Sequence, residues 1–328
     1  MSALFVGNQS LHIRRSYIFS LCACAVWSGS CVRSGFSPRE QPKHQIVDTA
    51  DKQPEIVVRL SNWELNYDET TYYFGNAFEN ESTVVIPFTV ENTGPGDLLI
   101  EATPKVQLIS GDVDDFTVVS QPISPIEIGR YSGFQLAFTP LKIGDCDAIL
   151  SIPNNDTDES PFIFFLNGVG LDTSANELVV NGEFDRELRH WRLDNFGDAV
   201  ATASINRDLL LSGPHAAEIV VIDGGQHGWH VQFNQPINIV AETTYQISFS
   251  GRVHGVTSKM VDVKLVGGSS TYTAYFSETV ELTNGHVSFG PFSFTATESV
   301  PVVFTFFLGG DNPSEITIHL DQTHIIRQ

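Results

Sequence analysis

The sequence predicts an all-β chain organised as two sandwich domains. Three observations predict it. Short runs alternating apolar and polar residues recur along the chain, broken by Gly and Pro. Phe (23) and Gly (26) are abundant among many Thr, Val and Ser residues, a composition that favours strands. No long stretch carries a 3.6-residue period. The 328 residues, 41% hydrophobic and only 17% charged, are globular in character and enough for about two domains.

The formal net charge is −21. Such a surface repels nucleic acid and anionic lipid, so no nucleic-acid partner is expected. It favours solubility and is indifferent to neutral polymers. Three of the four cysteines, Cys22, Cys24 and Cys31, lie in the first 31 residues, and only Cys146 lies further on. A disulfide-stapled scaffold is therefore excluded.

Residues 1–31 read as an export signal. Arg14-Arg15 precede the apolar stretch Tyr17–Trp27, too short to span a bilayer but suited to a signal-peptide core. Ser28-Gly29-Ser30-Cys31 follows and resembles a bacterial lipoprotein cleavage box, although Ser28 stands where the box has Leu. The resemblance implies lipidation of Cys31, membrane anchoring and a place at the bacterial cell surface or outside it. Residues 32–53 are polar, contain Pro38 and Pro42, and read as a flexible linker.

Residues 54–171 supply the first sandwich. Glu55–Arg59, Thr83–Val90 and Gly133–Phe138 alternate as strands, with the turn Asn92-Thr93-Gly94-Pro95-Gly96 between. Phe74-Gly75, Glu91-Asn92-Thr93-Gly94, Phe138-Thr139-Pro140, Asn154-Asn155-Asp156 and Leu166-Asn167-Gly168-Val169-Gly170 resemble, as a set, the choice-of-anchor D and Hydin-type immunoglobulin-like domains. The resemblance implies a spacer or protein-docking domain without chemistry. Asp112, Asp114 and Asp115 share one loop, either a solvated turn or a cation site.

After the polar linker Asp172–Glu177, residues 176–328 form the second sandwich. Its motifs are Asn181-Gly182-Glu183-Phe184-Asp185, then Trp191, Gly213–Ile219, Trp229-His230-Val231-Gln232, Tyr245-Gln246-Ile247-Ser248-Phe249, Tyr272-Thr273-Ala274-Tyr275, Phe306-Phe307-Leu308-Gly309 and Ile318-His319-Leu320-Asp321. In this order they resemble the family 4 and family 9 carbohydrate-binding modules. That resemblance implies a calcium-containing β-jelly roll that binds a polysaccharide. It also implies calcium ligands at Asp185 and Asp321, with a carbonyl near Gly213–His215; calcium favours such oxygen ligands.

Strand parity nominates the binding residues. Tyr245, Ile247, Phe249 and Val253 share one face, suited to a core. Gln246, Ser248, Ser250 and Arg252 share the other, a polar face suited to sugar hydroxyls. Aromatic rings supply the complementary contact with sugar C–H faces. Trp229 follows Gly224–Gly228 and fits a rim, whereas strict alternation places it with Val231 and Phe233 in the core. Gln232 and His230 point the other way. Tyr272 and Tyr275 cannot share a face of a regular strand, so both reach a ligand only through a bulge or loop. Phe307 opposes the core positions Phe306 and Leu308, as a stacking platform or a local apolar patch. The candidate carbohydrate-binding set is Trp229, Gln232, Arg252, Tyr272, Tyr275 and Phe307.

Eight of the ten histidines lie in this half, but their spacing suggests no zinc site. No nucleophile elbow, zincin, Walker or dinucleotide motif is present. Glu278 and Glu281 lie near the aromatic strand, but spacer plus module leaves no catalytic domain, so no enzyme activity is expected. The expected function is a non-catalytic, exported glycan-binding protein with a β-glucan or xylan chain in an open cleft. The alternative is a structural or adhesive surface protein whose domains bind another protein.

Overall fold

A computed structural model describes residues 52–208, 213–267, 273–310 and 315–328. The export segment with Cys31, most of the linker at 32–53, and Tyr272 lie outside the described residues. What is described is all-β, as the sequence predicts, and builds two sandwiches.

The first sandwich contains β1 (Ile56–Leu60), β2 (Trp63–Glu64), β3 (Thr71–Phe78), β4 (Ile86–Asn92), β5 (Gln107–Gly111), β6 (Phe116–Ser120), β7 (Tyr131–Phe138), β8 (Gly144–Ile152) and β9 (Phe162–Leu171). One sheet has the order β2-β1-β4-β7-β6 and the other β3-β9-β8-β5. All pairings are antiparallel except β3 with β9. Alternation builds the core: Ile86, Phe88 and Val90 of β4 point inward while Pro87, Thr89 and Glu91 point out. The Phe88 and Phe134 rings stack at 5.2 Å in its centre.

The second sandwich contains β10 (Arg192–Asn195), β11 (Val200–Asn206), β12 (Ala216–Asp223), β13 (Val231–Ile239), β14 (Thr244–His254), β15 (Ser258–Gly267), β16 (Thr273–Thr283), β17 (Val287–Thr295), β18 (Val300–Phe307) and β19 (Ile316–Arg327). The front sheet is β10-β13-β18-β15-β16 and the back sheet β11-β12-β19-β14-β17. Tyr245, Ile247, Phe249 and Val253 are buried in the core, as their parity predicts. Trp191 stacks on Phe233 at 4.9 Å and closes the core beside β10.

The two sandwiches are interlocked. Phe78, Val169 and Leu171 of the first belong to the same apolar cluster as the core of the second. The Asn76 side chain donates to Leu178 O at 2.7 Å and to Gln235 Oε1 at 3.1 Å. Asn238 donates back to Phe74 O and Asn76 O at 2.8 and 3.0 Å. Gly75 makes this approach possible: at φ +76° a Cβ would stand 3.3 Å from the Ile237 backbone. Arg327 pairs with both carboxylate oxygens of Glu81 and lies over the Phe78 ring at 3.9 Å. The polar linker is pinned as well, since the Glu177 carboxylate accepts the N–H groups of Val179 and Ile325.

Candidate functional site

The outward face of the front sheet is ordered by register into rows that cross the strands. Phe233, Phe304, Phe306, Val263 and Leu265 point into the core, so their neighbours in sequence point out. The first row reads Asp194, Gln232, Phe307, Asp262, Thr279. The second reads Arg192, Asn234, Thr305, Lys264, Ser277, and the third Pro236, Val303, Val266, Ala274. Successive rows lie about 7 Å apart, two residues along each strand. The third row is covered by Tyr73 of the first sandwich, which packs on Val266 and Val303.

The first two rows carry a matched polar lattice on either side of β18. On one flank Arg192 donates to Asp194 Oδ2 at 2.9 and 2.7 Å from Nε and Nη2, and Asn234 donates to the same oxygen at 2.9 Å. On the other, Lys264 Nζ meets Asp262 Oδ2 at 3.0 Å and Thr279 donates to Asp262 Oδ1 at 2.7 Å. Burial pushes the Asp262 carboxyl up, but the Thr279 hydroxyl and the Lys264 ammonium outweigh it and hold the group below its usual value. Between the flanks lie Phe307 and Thr305, with Lys264 Nζ 5.2 Å from the centre of the Phe307 ring. Phe307 is 6% exposed and Thr305 is fully buried, its hydroxyl without a hydrogen-bond partner. Phe307 thus faces outward as parity requires, yet forms a floor rather than an open stacking platform. Paired acceptors and donors on a partly apolar floor suit a polyol, whose every hydroxyl both donates and accepts.

Trp229 lies in the short 3₁₀ turn Gly228–His230 just ahead of β13 and is 41% exposed. The turn breaks the alternation upstream of Val231, which is why Trp229 does not join the core. Its ring stacks on His227 at 5.6 Å, meets the edge of His230 at 4.3 Å, and its carbonyl accepts the Gln232 side-chain amide at 2.9 Å. Gly228 lies against Phe307, so the turn borders the first row.

Two nominated residues are placed away from this face. Arg252 belongs to β14 of the back sheet, paired with His319 and lying with Glu218 on that sheet's outward side. Its polar parity is as expected, but the sandwich connection carries β13 to the front and β14 to the back, so it cannot share a groove with Phe307 and Gln232. Tyr275 sits at a bulge where β16 slips against β15. It packs on the core and its hydroxyl donates to Glu298 at 2.6 Å; burial first, then the Glu298 carboxylate, push that hydroxyl up to about 12. The bulge turns Tyr275 inward instead of presenting it to a ligand.

The nominated metal ligands Asp185 and Asp321 have different partners. Asp321 is fully buried, its Oδ1 accepting the Gln322 N–H. A Cβ at Gly213 would stand 3.9 Å from both Asp321 Oδ2 and Glu183 Oε2, so these two carboxylates border one space. Burial, and next the charge of Asp321, raise the Glu183 carboxyl above its usual range. Asp185 pairs with His215 at 2.9 Å, and its charge too raises the Glu183 carboxyl. The positive-φ residues Asn181 and Phe184 turn the chain, and buried Phe184 anchors it. Glu183, inside the same motif, is the residue that sequence reasoning passed over. In the first sandwich, Asp112 is held below its usual range by the Lys142 ammonium and the Asp147 N–H, and Asp115 accepts the Leu141 N–H. Asp112 and Asp115 thus hold the loop to its neighbours.

Residues 176–314 match the family model described as "Carbohydrate binding domain". Solved structures similar to this module include one described as "CBM4 structure and function", 28% identical, covering 46% of this chain and 99% of that chain with a TM-score of 0.38. Another is the N-terminal cellulose-binding domain of β-1,4-glucanase C from Cellulomonas fimi, 17% identical, covering 46% of this chain and 96% of that one with a TM-score of 0.35. A third is a Clostridium thermocellum endo-1,4-β-D-xylanase 10B fragment complexed with xylohexaose, 14% identical, covering 46% and 28% with a TM-score of 0.34. No curated protein matches the chain.

Proposed function

We propose that this chain is a non-catalytic, exported glycan-binding protein that holds a polysaccharide of β-glucan or xylan type across the front sheet of its carbohydrate-binding module. The carrying observation is the pair of polar rows around Phe307, bordered by the exposed Trp229, within the residues that match the family model. Gln232, Lys264 and the carboxylates of Asp194 and Asp262 meet sugar hydroxyls, and Trp229 meets a sugar C–H face. Export and a lipid anchor at Cys31 rest on the basic pair, apolar run and cysteine of the first 31 residues. Calcium, held by Asp321 and Glu183 with carbonyls near Gly213, serves as a structural ion that offsets the repulsion between two neighbouring carboxylates.

The adhesive alternative draws on one observation: Phe307, Thr305 and Asn234 at the middle of the face are almost fully covered by their neighbours. Affinity electrophoresis of the full chain through gels containing soluble polysaccharides separates the two. The proposal expects at least one neutral β-glucan or xylan to retard the protein, and Trp229→Ala and Gln232→Ala to weaken that retardation. Migration unaffected by every glycan would favour the adhesive alternative.

A further inference from the structure

The two sandwiches enclose a cleft of about 420 Å³, within the range of small-molecule sites, about 300–1,000 Å³. Its floor includes Arg192, Asn234 and Val303 of the front sheet, and its far wall includes Tyr73, Asp147 and Asn167 of the first sandwich. Arg192 and Asn234 are members of the second polar row, so the cleft continues the outward face of the module instead of standing apart from it. We propose that the first sandwich completes the binding site, and that this cleft accepts a neutral sugar residue of the glycan chain lying on the front sheet. The inference rests on the function proposed above and adds a second domain to it.

The chemistry of the walls fits that occupant. Asn167 donates to Asp147 Oδ1 at 2.7 Å, leaving the second Asp147 oxygen to accept from a sugar hydroxyl. Asp147 is exposed and Asn167 half-buried, so both are reachable from solvent. The floor offers a donor in Arg192 and an apolar strip in Val303 beside Tyr73. The cationic groups around the cleft are already matched. Arg192 is paired with Asp194, while Arg189 and His190 meet the two oxygens of Asp145 at 3.1 and 3.2 Å. Little positive charge remains for an acidic sugar, which points to a neutral one.

A composite site needs walls that hold their separation. Here they are fixed by the Asn76 and Asn238 amides, by the close approach at Gly75, and by the shared apolar cluster around Phe78, Val169 and Leu171. The wall is therefore preorganised, and a ligand need not bring the domains together.

The test uses the full chain and a neutral soluble polysaccharide that retards it. Asp147→Ala and Asn167→Ala are each expected to weaken binding about three- to tenfold, the net effect of one or two hydrogen bonds, with an unchanged melting temperature. Asp147→Ala replaces an exposed side chain, so it remains informative if Asn167→Ala folds poorly. Wild-type affinity in a folded Asp147→Ala variant, alongside weakened binding in Trp229→Ala, would overturn the composite site and leave the proposed function standing. Failure of every glycan to bind the wild-type chain would remove both.

Discussion

Gln235 of the second sandwich accepts the Asn76 amide of the first at 3.1 Å, and it also accepts the Val180 N–H and donates to the Val180 carbonyl, each at 2.8 Å. One buried side chain thus ties β3, the segment after the linker, and β13 together. Gln235→Ala would leave buried partners unsatisfied, each costing about 1–3 kcal/mol. Urea unfolding is expected to show a loss of about 2–4 kcal/mol, well above that of Gln232→Ala, whose side chain makes one bond on a half-buried site. Equal stabilities would mean that the interface amides contribute nothing net.

Arg327 joins the sandwiches through both Glu81 oxygens and the face of Phe78. Arg327→Ala is expected to lower stability by about 1–2 kcal/mol, combining a bidentate pair with lost packing. Arg327→Lys should recover less than half, because an ammonium neither forks nor stacks. Thermal melts of the three proteins check the order.

Trp229 and Arg252 stand on different surfaces of the module, so they should part in a binding assay. Trp229→Ala is expected to weaken glycan retardation about five- to tenfold, of the order of one aromatic contact, about 1 kcal/mol or slightly more. Arg252→Ala should leave it within twofold. A large effect at Arg252 would move the site to the back sheet.

Calcium bound only by the native state must raise the melting temperature. Chelator is expected to lower the melting temperature of the wild type and of Asp185→Asn alike. In Asp321→Asn and Glu183→Gln, chelator should change little. A wild-type melting curve indifferent to both chelator and added calcium would count against the ion.

The Cys146 thiol is buried, and burial first, then Asp115, push it up to about 12. A folded-state value above the unfolded one favours the protonated, folded form. Its contribution is complete below the unfolded thiol range, about 8.5, and declines as pH rises towards the folded value. At pH 8 iodoacetamide should therefore leave Cys146 unmodified in the native protein and label it in denaturant, as mass spectrometry would read. Rapid native labelling would show that the first sandwich opens there.

The faces of individual strands were legible in the sequence. Tyr245, Ile247, Phe249 and Val253 are core because alternation survives any packing, and Phe307 faces outward for the same reason. Trp229 escaped the rule because the Gly228–His230 turn resets the phase before β13. Within the opening motif of the module, the left-handed residues Asn181 and Phe184 turn the chain, and Glu183 borders the same space as Asp321. Spacing records none of these turns.

The sequence by itself determined the all-β class and the inward or outward sense of most side chains, since both follow from local alternation and composition. Its ordered motifs pointed to a carbohydrate-binding module, which the family match over residues 176–314 supports. Only the tertiary structure decided which outward faces share a surface. Arg252 and Gln232 have equivalent parity, yet the chain passes from front sheet to back between them and puts the core in the way. The same holds for the wall of Tyr73, Asp147 and Asn167, set against the front sheet by contacts some 160 residues apart in sequence, such as Asn76 with Gln235 and Asn238. Long-range packing is a property of the folded surface, and a local pattern does not carry it.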